Sequence, residues 1–173
     1  MIKFLLRITV LYIFLINSSY SEIIKDIKIS GNKRITEETI KVIGNFDLAT
    51  DYDDNKLNEL TKRLYNSEFF KDISISLENN ILIINLVENP IIEDIQIEGI
   101  KRNTVKDLLP KNISLKNRKS FTDISLKNDI TLIKNLLKST GYYFVKVSPA
   151  ISKDDELNSV RIIINIDQGP RAK

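Results

Sequence analysis

An internal duplication decides which folds this chain can adopt. Ile23–Arg34 reads IIKDIKISGNKR and Ile91–Arg102 reads IIEDIQIEGIKR, with eight of twelve positions identical at an offset of 68. The far ends also match, because INLVENP (Ile84–Pro90) aligns with INIDQGP (Ile164–Pro170) at an offset of 80. The second copy is therefore 12 residues longer, and the polar stretch Lys111–Ser120 can hold most of the excess. The sequence predicts two copies of one small unit.

Each copy carries the same order of hydrophobic patterns. Alternation of apolar and polar residues predicts strands, and i, i+3, i+7 spacing as in Leu57, Leu60 and Leu64 predicts helices. The predicted elements of the first copy are a strand Ile23–Ser30, a helix from Thr36 to Ile43 ended by Gly44 and Asn45, a helix capped by Asp53, and strands Asp72–Leu77 and Ile81–Val87 joined at Asn79-Asn80.

The second copy repeats this order with a longer second helix. Its predicted elements are a strand Ile91–Glu98, a helix Asn103–Leu109 stopped by Pro110, a helix capped by Thr122 and ended by Gly141, and a hairpin of Tyr142–Ile151 and Val160–Ile166. Pro149 places the first hairpin strand at a sheet edge, since proline cannot donate to a ladder on both sides.

The predicted fold class is therefore α+β. It consists of two tandem β-α-α-β-β domains, each a three-stranded mixed sheet with two helices on one face. The first domain is expected at residues 22–89 and the second at 90–168, with 169–173 as the start of a truncated next repeat. The short junction at Asn89-Pro90 predicts limited hinge motion between the domains.

The first 21 residues have the layout of a secretory signal peptide. Lys3 and Arg7 precede the apolar run Ile8–Ile16, and Ser19-Tyr20-Ser21 supplies small residues for cleavage. The alternative is an uncleaved anchor, although a membrane span needs about 20 apolar residues. Cleavage would remove two of the 26 basic residues and leave 24 against 23 acidic ones. A mature chain with almost no net charge lacks the basic surface that nucleic-acid binding needs, so no nucleic-acid partner is expected.

The residue types that are missing argue against catalysis. The chain has no His and no Cys, so the usual transition-metal sites and Ser–His or Cys–His nucleophile pairs are excluded. Asp51-x-Asp53-x-Asn55 resembles the start of a calcium loop, but Lys56 and Lys62 occupy its glycine and glutamate positions. We expect no enzyme, no cofactor and no metal.

The outer hairpin strands are the candidate binding sites. A strand at a sheet edge leaves backbone N–H and C=O groups free to pair with an extended partner segment; the alternative is an edge shielded by its own loops. The candidate residues are Asp72, Ile73, Ser74, Ile75, Ser76 and Leu77 in the first copy, and Val145, Lys146 and Val147 within Val145–Ile151 in the second.

Two aromatic clusters precede these strands. Tyr65, Phe69 and Phe70 in the first copy parallel Tyr142, Tyr143 and Phe144 in the second. They fit either an exposed binding platform or a plug that closes the small core, and the general burial of aromatic side chains favours the plug.

Several motifs together resemble POTRA domains. They are Ile27–Ile35 (IKISGNKRI), Val87–Gly99 (VENPIIEDIQIEG), Leu64–Ile73 (LYNSEFFKDI) and Ser139–Val147 (STGYYFVKV). The doubled set is similar in particular to the first two POTRA domains of the BamA family of outer-membrane protein assembly factors. Glu68 departs from the pattern, because the family usually has glycine where Gly141 stands in the second copy.

The resemblance implies a periplasmic arm of an outer-membrane protein that receives unfolded β-barrel precursors. It also implies docking of accessory lipoproteins and contact with the membrane only through a C-terminal barrel, which is missing from this sequence. A fragment of a longer protein is therefore expected. The arm of a two-partner secretion transporter and a division-type periplasmic scaffold remain as alternatives, while a periplasmic enzyme is disfavoured by the missing His and Cys.

Overall fold

Two three-stranded sheets with their helices form the described part of the chain. The computed structural model describes residues 22–46, 48, 51–101 and 103–172, so the proposed signal peptide lies outside it and stays a prediction. The elements are β1 (Glu22–Ile23), β2 (Asp26–Ser30), α1 (Glu37–Gly44), β3 (Asp51–Tyr52), α2 (Asp54–Asn66), β4 (Phe70–Glu78), β5 (Ile81–Glu88), β6 (Ile91–Glu98), α3 (Asn103–Asn112), α4 (Asp123–Ser139), β7 (Lys146–Asp154) and β8 (Ser159–Asp167).

Both sheets have the same topology. The strand order is β2-β5-β4 in the first sheet and β6-β8-β7 in the second. The opening strand is parallel to the central one in each case, and the hairpin strands are antiparallel. The α+β class with mixed three-stranded sheets is thus confirmed, and the edge position inferred from Pro149 is correct. The expected domain boundary falls between β5 and β6.

Three predicted helix starts are confirmed by their caps. The Thr36 hydroxyl accepts from the Thr39 N–H at 3.3 Å, the Asp53 carboxylate from the Lys56 N–H at 2.8 Å, and the Thr122 hydroxyl from the Ser125 N–H at 3.0 Å. Each bond satisfies one of the free N–H groups of a first helical turn. Asn45 ends α1 in the left-handed conformation, as its position after Gly44 predicts.

The opening strand of the first copy is interrupted, which corrects the prediction of one strand over Ile23–Ser30. Ile24 is buried in the first core, and the Lys25 N–H donates to the Asn80 carbonyl at 2.8 Å. The two residues before Ile24 form β1 and pair with β3 instead. The β-α-α-β-β order is therefore confirmed only in part, because this small extra sheet accompanies it.

Pro110 does not stop its helix, which corrects a second prediction. Helix α3 runs to Asn112, and the Ile113 N–H still donates to the Leu109 carbonyl at 3.1 Å. Proline costs a helix one internal hydrogen bond. Leu109 and Ile113 flank it and are both buried in the second core, so packing holds the last turn in place.

The central strands supply the middle of each core. Leu82, Ile84 and Leu86 of β5 are buried, and so are the equivalent Ile162, Ile164 and Ile166 of β8. Ile81 and Ile83 on the opposite face of β5 are half-buried. Two separate buried clusters result, one in each repeat.

The extra residues of the second copy fold back onto its own sheet. The carboxylate of Asp129, buried in α4, accepts from the Ser114 N–H at 2.9 Å and from the Leu115 N–H at 2.8 Å. Beyond this anchor, the Arg118 N–H donates to the Ile92 carbonyl at 2.7 Å, and the Ile92 N–H donates to the Lys119 carbonyl at 2.8 Å. The insertion therefore runs along the first half of β6.

Hydrogen bonds from both sides hold the junction between the repeats. The Asn89 N–H donates to the Phe69 carbonyl at 2.8 Å, and the Phe121 N–H donates to the Pro90 carbonyl at 2.7 Å. The Asn158 amide reaches the Glu88 carbonyl at 3.3 Å. These bonds favour the limited hinge motion expected from the short junction.

Candidate functional site

Strand β4 lies at the edge of the first sheet. Within the described residues it is hydrogen-bonded to β5 alone, through pairs such as Ile73↔Leu86, Ile75↔Ile84 and Leu77↔Leu82. Ile73 is buried and Ile75 and Leu77 are half-buried toward helix α2, which lies against this strand. The other margin of β4 therefore carries backbone donors and acceptors that an extended segment can pair with.

Strand β7 occupies the equivalent edge of the second sheet. It runs from Lys146 to Asp154 and pairs with β8 without a register shift. Val145, predicted as part of this strand, lies just before it and is buried in the second core. Because the following residue is the first to pair with β8, Val145 anchors the entry to the strand and is not part of the edge. Lys146 is exposed on the strand, and Val147 is buried.

Pro149 makes the two edges unequal. It pairs with Ile164 of β8, and the corresponding pair of the first sheet is Ile75↔Ile84. Since proline has no N–H, its backbone nitrogen belongs on the free margin of β7. By the same register, the backbone N–H of Ile75 faces the free margin of β4. The first edge thus has a donor at a position where the second edge has none.

Charged side chains lie near the ends of both edge strands and do not distinguish them. Exposed Lys71, Asp72 and Glu78 lie on β4, and exposed Lys146, Lys153 and Asp154 lie on β7. Pro149 is therefore the feature that makes β4 the less protected of the two predicted edges.

The aromatic clusters behave differently in the two repeats. In the first, Phe70 is buried, and its ring meets Phe69 edge to face at a centroid distance of 6.3 Å. In the second, Tyr142 is buried, but Tyr143 and Phe144 are 60% and 75% exposed. The predicted plug is therefore wrong for these two side chains and for Tyr65 of the first cluster, which is 42% exposed. Val145 takes the buried position instead, which the aromatic pattern alone could not indicate.

A cleft of about 490 Å³ lies between the repeats, beside the start of β4. Lys71 lines it from the first repeat and Ile124, 73% exposed, from the second. Asn89 and Pro90 form part of its wall. Sequence reasoning missed this cleft, because it depends on how Phe121 and the start of α4 approach the junction.

Among the described residues, the two titratable groups with shifted pKa values are on neither β4 nor β7: Glu38 lies in the first turn of α1, and Arg161 lies on β8 opposite Ser152 of β7. Hydrogen bonding to its own backbone N–H, and then to Thr36, lowers the pKa of Glu38. Hydrogen bonds to Glu93, at 2.9 Å from two guanidinium nitrogens, raise the pKa of Arg161. Backbone hydrogen bonding is thus the chemistry that the candidate edges offer.

Across residues 22–46, 48, 51–101 and 103–172, no group of three or more acidic, His or Cys side chains is arranged to hold a metal ion. No helix within those ranges has the length and apolar character needed to span a bilayer.

Curated relatives are outer-membrane assembly proteins. The chain is 27% identical over 156 residues to the outer membrane protein assembly factor BamA of Neorickettsia risticii, covering 90% of this chain and 21% of the relative. It is 26% identical over 153 residues to BamA of Neisseria meningitidis, covering 87% and 19%. The chain thus spans about one fifth of the length of these relatives.

Solved structures share the fold. The N-terminal domain of Omp85 from Thermosynechococcus elongatus superposes with a TM-score of 0.58 at 13% identity, over 87% of this chain and 64% of that one. POTRA1-2 of the periplasmic domain of Omp85 from Anabaena gives a TM-score of 0.53 at 12% identity, over 90% and 100%. Identity this low supports the fold alone.

The family model named POTRA, surface antigen variable number repeat, matches residues 90–169. This match covers the second repeat from Pro90 through β8. The resemblance inferred from the motifs is confirmed: the POTRA family model matches residues 90–169, and the chain is similar to BamA proteins over most of its length.

Proposed function

We propose that this chain is a non-enzymatic, periplasmic receiving arm that binds extended segments of unfolded outer-membrane β-barrel precursors. The segment adds as a further strand to the free margin of β4, and β7 provides a second, weaker edge. The observation that carries the proposal is the one-sided pairing of β4 within the described residues. Its relatives carry the name of an outer-membrane protein assembly factor, which supports this substrate class.

The cleft beside β4 extends the proposed site. A segment paired along β4 toward Phe70 reaches Lys71 and then the side chains of Tyr65 and Ile124. Tyr65 is 42% exposed. An apolar side chain of the bound segment can be buried there, while the backbone of β4 supplies most of the pairing. Accessory lipoproteins of the assembly complex remain the proposed further partners.

The duplication supplies a matched pair of substitutions to test this. Ile75→Pro removes the backbone N–H of residue 75 from the free margin of β4, so that this edge matches β7 at Pro149. The hydrogen bonds between β4 and β5 are kept, because this N–H does not take part in them. In Pro149→Ile the second edge gains that donor. The probe is a peptide copied from an outer-membrane β-strand, titrated into the ¹⁵N-labelled chain and followed by NMR.

We expect shifts along Asp72–Leu77 in the unaltered chain, with a dissociation constant in the millimolar range, roughly 4 kcal/mol of binding. Ile75→Pro should weaken binding about fivefold, which corresponds to the loss of about one net hydrogen bond. Pro149→Ile should add shifts in Lys146–Ile151. The control is Ile75→Ala, which shortens the side chain but keeps the N–H.

Two results would contradict the proposal. One is the absence of shifts on β4 at millimolar peptide. The other is equal weakening by Ile75→Ala and Ile75→Pro, because the side chain would then be the binding group and the backbone margin would not.

A further inference from the structure

The insertion of the second repeat creates a groove that the first repeat lacks the residues to form. The groove has a volume of about 740 Å³ and lies between the second half of β6, helix α3 and the inserted segment. This is within the roughly 300–1,000 Å³ of ligand sites in proteins. It lies on the opposite side of the sheet from the candidate edge β7, because β6 and β7 flank the central β8.

The floor of the groove is aliphatic. It is formed by Ile95 and Ile97 of β6, the following Ile100, and Leu109, Ile113 and Leu115. Ile95, Ile97 and Ile100 are half-buried and pack against the second core. The last three are buried within it. Such a surface gains free energy when an apolar body displaces water from it.

The rim is basic. Exposed Lys106 and Lys111 project from α3, and exposed Lys116 comes from the insertion. The remaining lining residues, Pro110 and Asn117, carry no charge, so the described lining contains no acidic side chain. Three ammonium groups around an aliphatic floor complement a molecule with an apolar body and an anionic end.

The backbone beside the groove is already used in part. The Ile92 N–H and carbonyl pair with the insertion at one end of β6, and the Ile95 N–H donates to the Asn117 side-chain oxygen at 3.1 Å beside the groove. An added peptide strand would have to displace the bond to Asn117 before pairing along the second half of β6. The site therefore favours a ligand that does not depend on strand addition.

We propose that this groove binds a free single-chain amphiphile with an anionic head group, of the fatty acid class. The alkyl chain lies on the aliphatic floor, and the carboxylate lies among Lys106, Lys111 and Lys116. This site is separate from the proposed strand addition at β4, so either can fail without the other.

The test uses dodecanoate as the probe, kept below its micelle concentration and titrated into the ¹⁵N-labelled chain. We expect shifts at Ile95–Ile100 and at Leu115–Asn117. The triple variant Lys106→Glu, Lys111→Glu, Lys116→Glu should weaken binding about tenfold or more, since three attractive charges become repulsive. Dodecyltrimethylammonium, with the same chain and the opposite charge, should bind at least about tenfold more weakly than dodecanoate.

The matched control reverses three exposed lysines of the first repeat. The variant Lys25→Glu, Lys28→Glu, Lys62→Glu changes the net charge equally but leaves the groove unaltered, and it should bind dodecanoate as the parent chain does. Ile100→Asp, which places a carboxylate on the floor, should also weaken binding about tenfold while the NMR spectrum of the remaining fold is retained.

Three outcomes would overturn the proposal. Equal weakening in both triple variants would show attraction by net charge alone. Co-sedimentation with phosphatidylglycerol vesicles, together with no shifts from free dodecanoate, would identify a bilayer surface as the partner. Shifts at Ile95–Ile100 produced by an acidic peptide and not by dodecanoate would identify a peptide site.

Discussion

The two repeats build the same sheet but treat its first strand differently. Among the described residues, β2 of the first repeat is paired with β5 alone, whereas β6 of the second has the insertion along half of its outer margin. The hairpin edges differ in the same sense, because β7 contains Pro149 and β4 has a complete set of donors. The second repeat therefore protects both of its sheet margins and the first protects neither, so duplication has produced two distinct surfaces from one topology.

The second helices show how the insertion is held. Counted from the caps Asp53 and Thr122, the buried Leu60 of α2 corresponds to the buried Asp129 of α4. A leucine suits a helix that packs only on its sheet. A carboxylate at the same position accepts hydrogen bonds from the backbone N–H groups of the insertion. The difference between Leu60 and Asp129 therefore matches the presence of the insertion in the second repeat.

The largest expected effect tests what the repeats share. Gly31 and Gly99 both follow the opening strand with positive φ, at +84° and +86°, and an added Cβ would overlap the carbonyl oxygen of Leu86 or Ile166. Gly31→Ala and Gly99→Ala should each lower the free energy of unfolding of their own repeat by about 4 kcal/mol. Amide hydrogen exchange of β5 and β8 measures the two repeats separately.

Lys153→Ala, at an exposed position on β7, is the control and should change stability by less than about 0.5 kcal/mol. If either glycine variant lowers protection equally in β5 and β8, the two repeats unfold as one cooperative unit and are not independently stable.

The next effect should be confined to the second repeat. Asp129→Ala removes the acceptor of the Ser114 and Leu115 N–H groups and should cost about 3 kcal/mol, because the Leu115 N–H is left buried without a partner. Urea unfolding followed by circular dichroism gives the change in free energy. Asp155→Ala in the exposed β7–β8 turn is the matched control. A cost below about 1 kcal/mol would mean that the insertion is held by packing alone.

The smallest effect comes from exchanging one residue between the repeats. Glu68 leaves α2 with a φ of 60°, whereas Gly141, at φ 96°, stands at the corresponding exit from α4. Glu68→Gly should stabilise the first repeat by about 1 kcal/mol, and Gly141→Glu should destabilise the second by a similar amount. Thermal unfolding of both variants measures the pair. Changes of the same sign would show that this backbone conformation does not control stability.

Local patterns predicted the elements that depend on neighbouring residues. Thr36, Asp53 and Thr122 identify three helix starts from the sequence, and Pro149 identifies the edge of the second sheet. The caps and the proline act through groups within a few residues of sequence. The β4 margin followed by equivalence, because the first copy repeats the strand order of the second.

The remaining features depend on distant partners. The exposure of Tyr143 and Phe144 is set by Val145 filling the core, and the continuation of α3 past Pro110 is set by Leu109 and Ile113 packing on the second sheet. Asp129 reads as an ordinary polar helix residue until the insertion is placed beside it. The groove on β6 has no sequence signal of its own, since its walls come from three separate segments.

The parallel pairing of each opening strand has a kinetic consequence. Asp26 pairs with Ile81 and Ile91 pairs with Ser159, so neither sheet can close until nearly the whole repeat is present. Long-range pairing of this kind is slow, because a large loop must be ordered first. A chain that emerges amino end first completes one sheet at Glu88 before the next begins at Ile91, which keeps strands of the two copies from exchanging partners during folding.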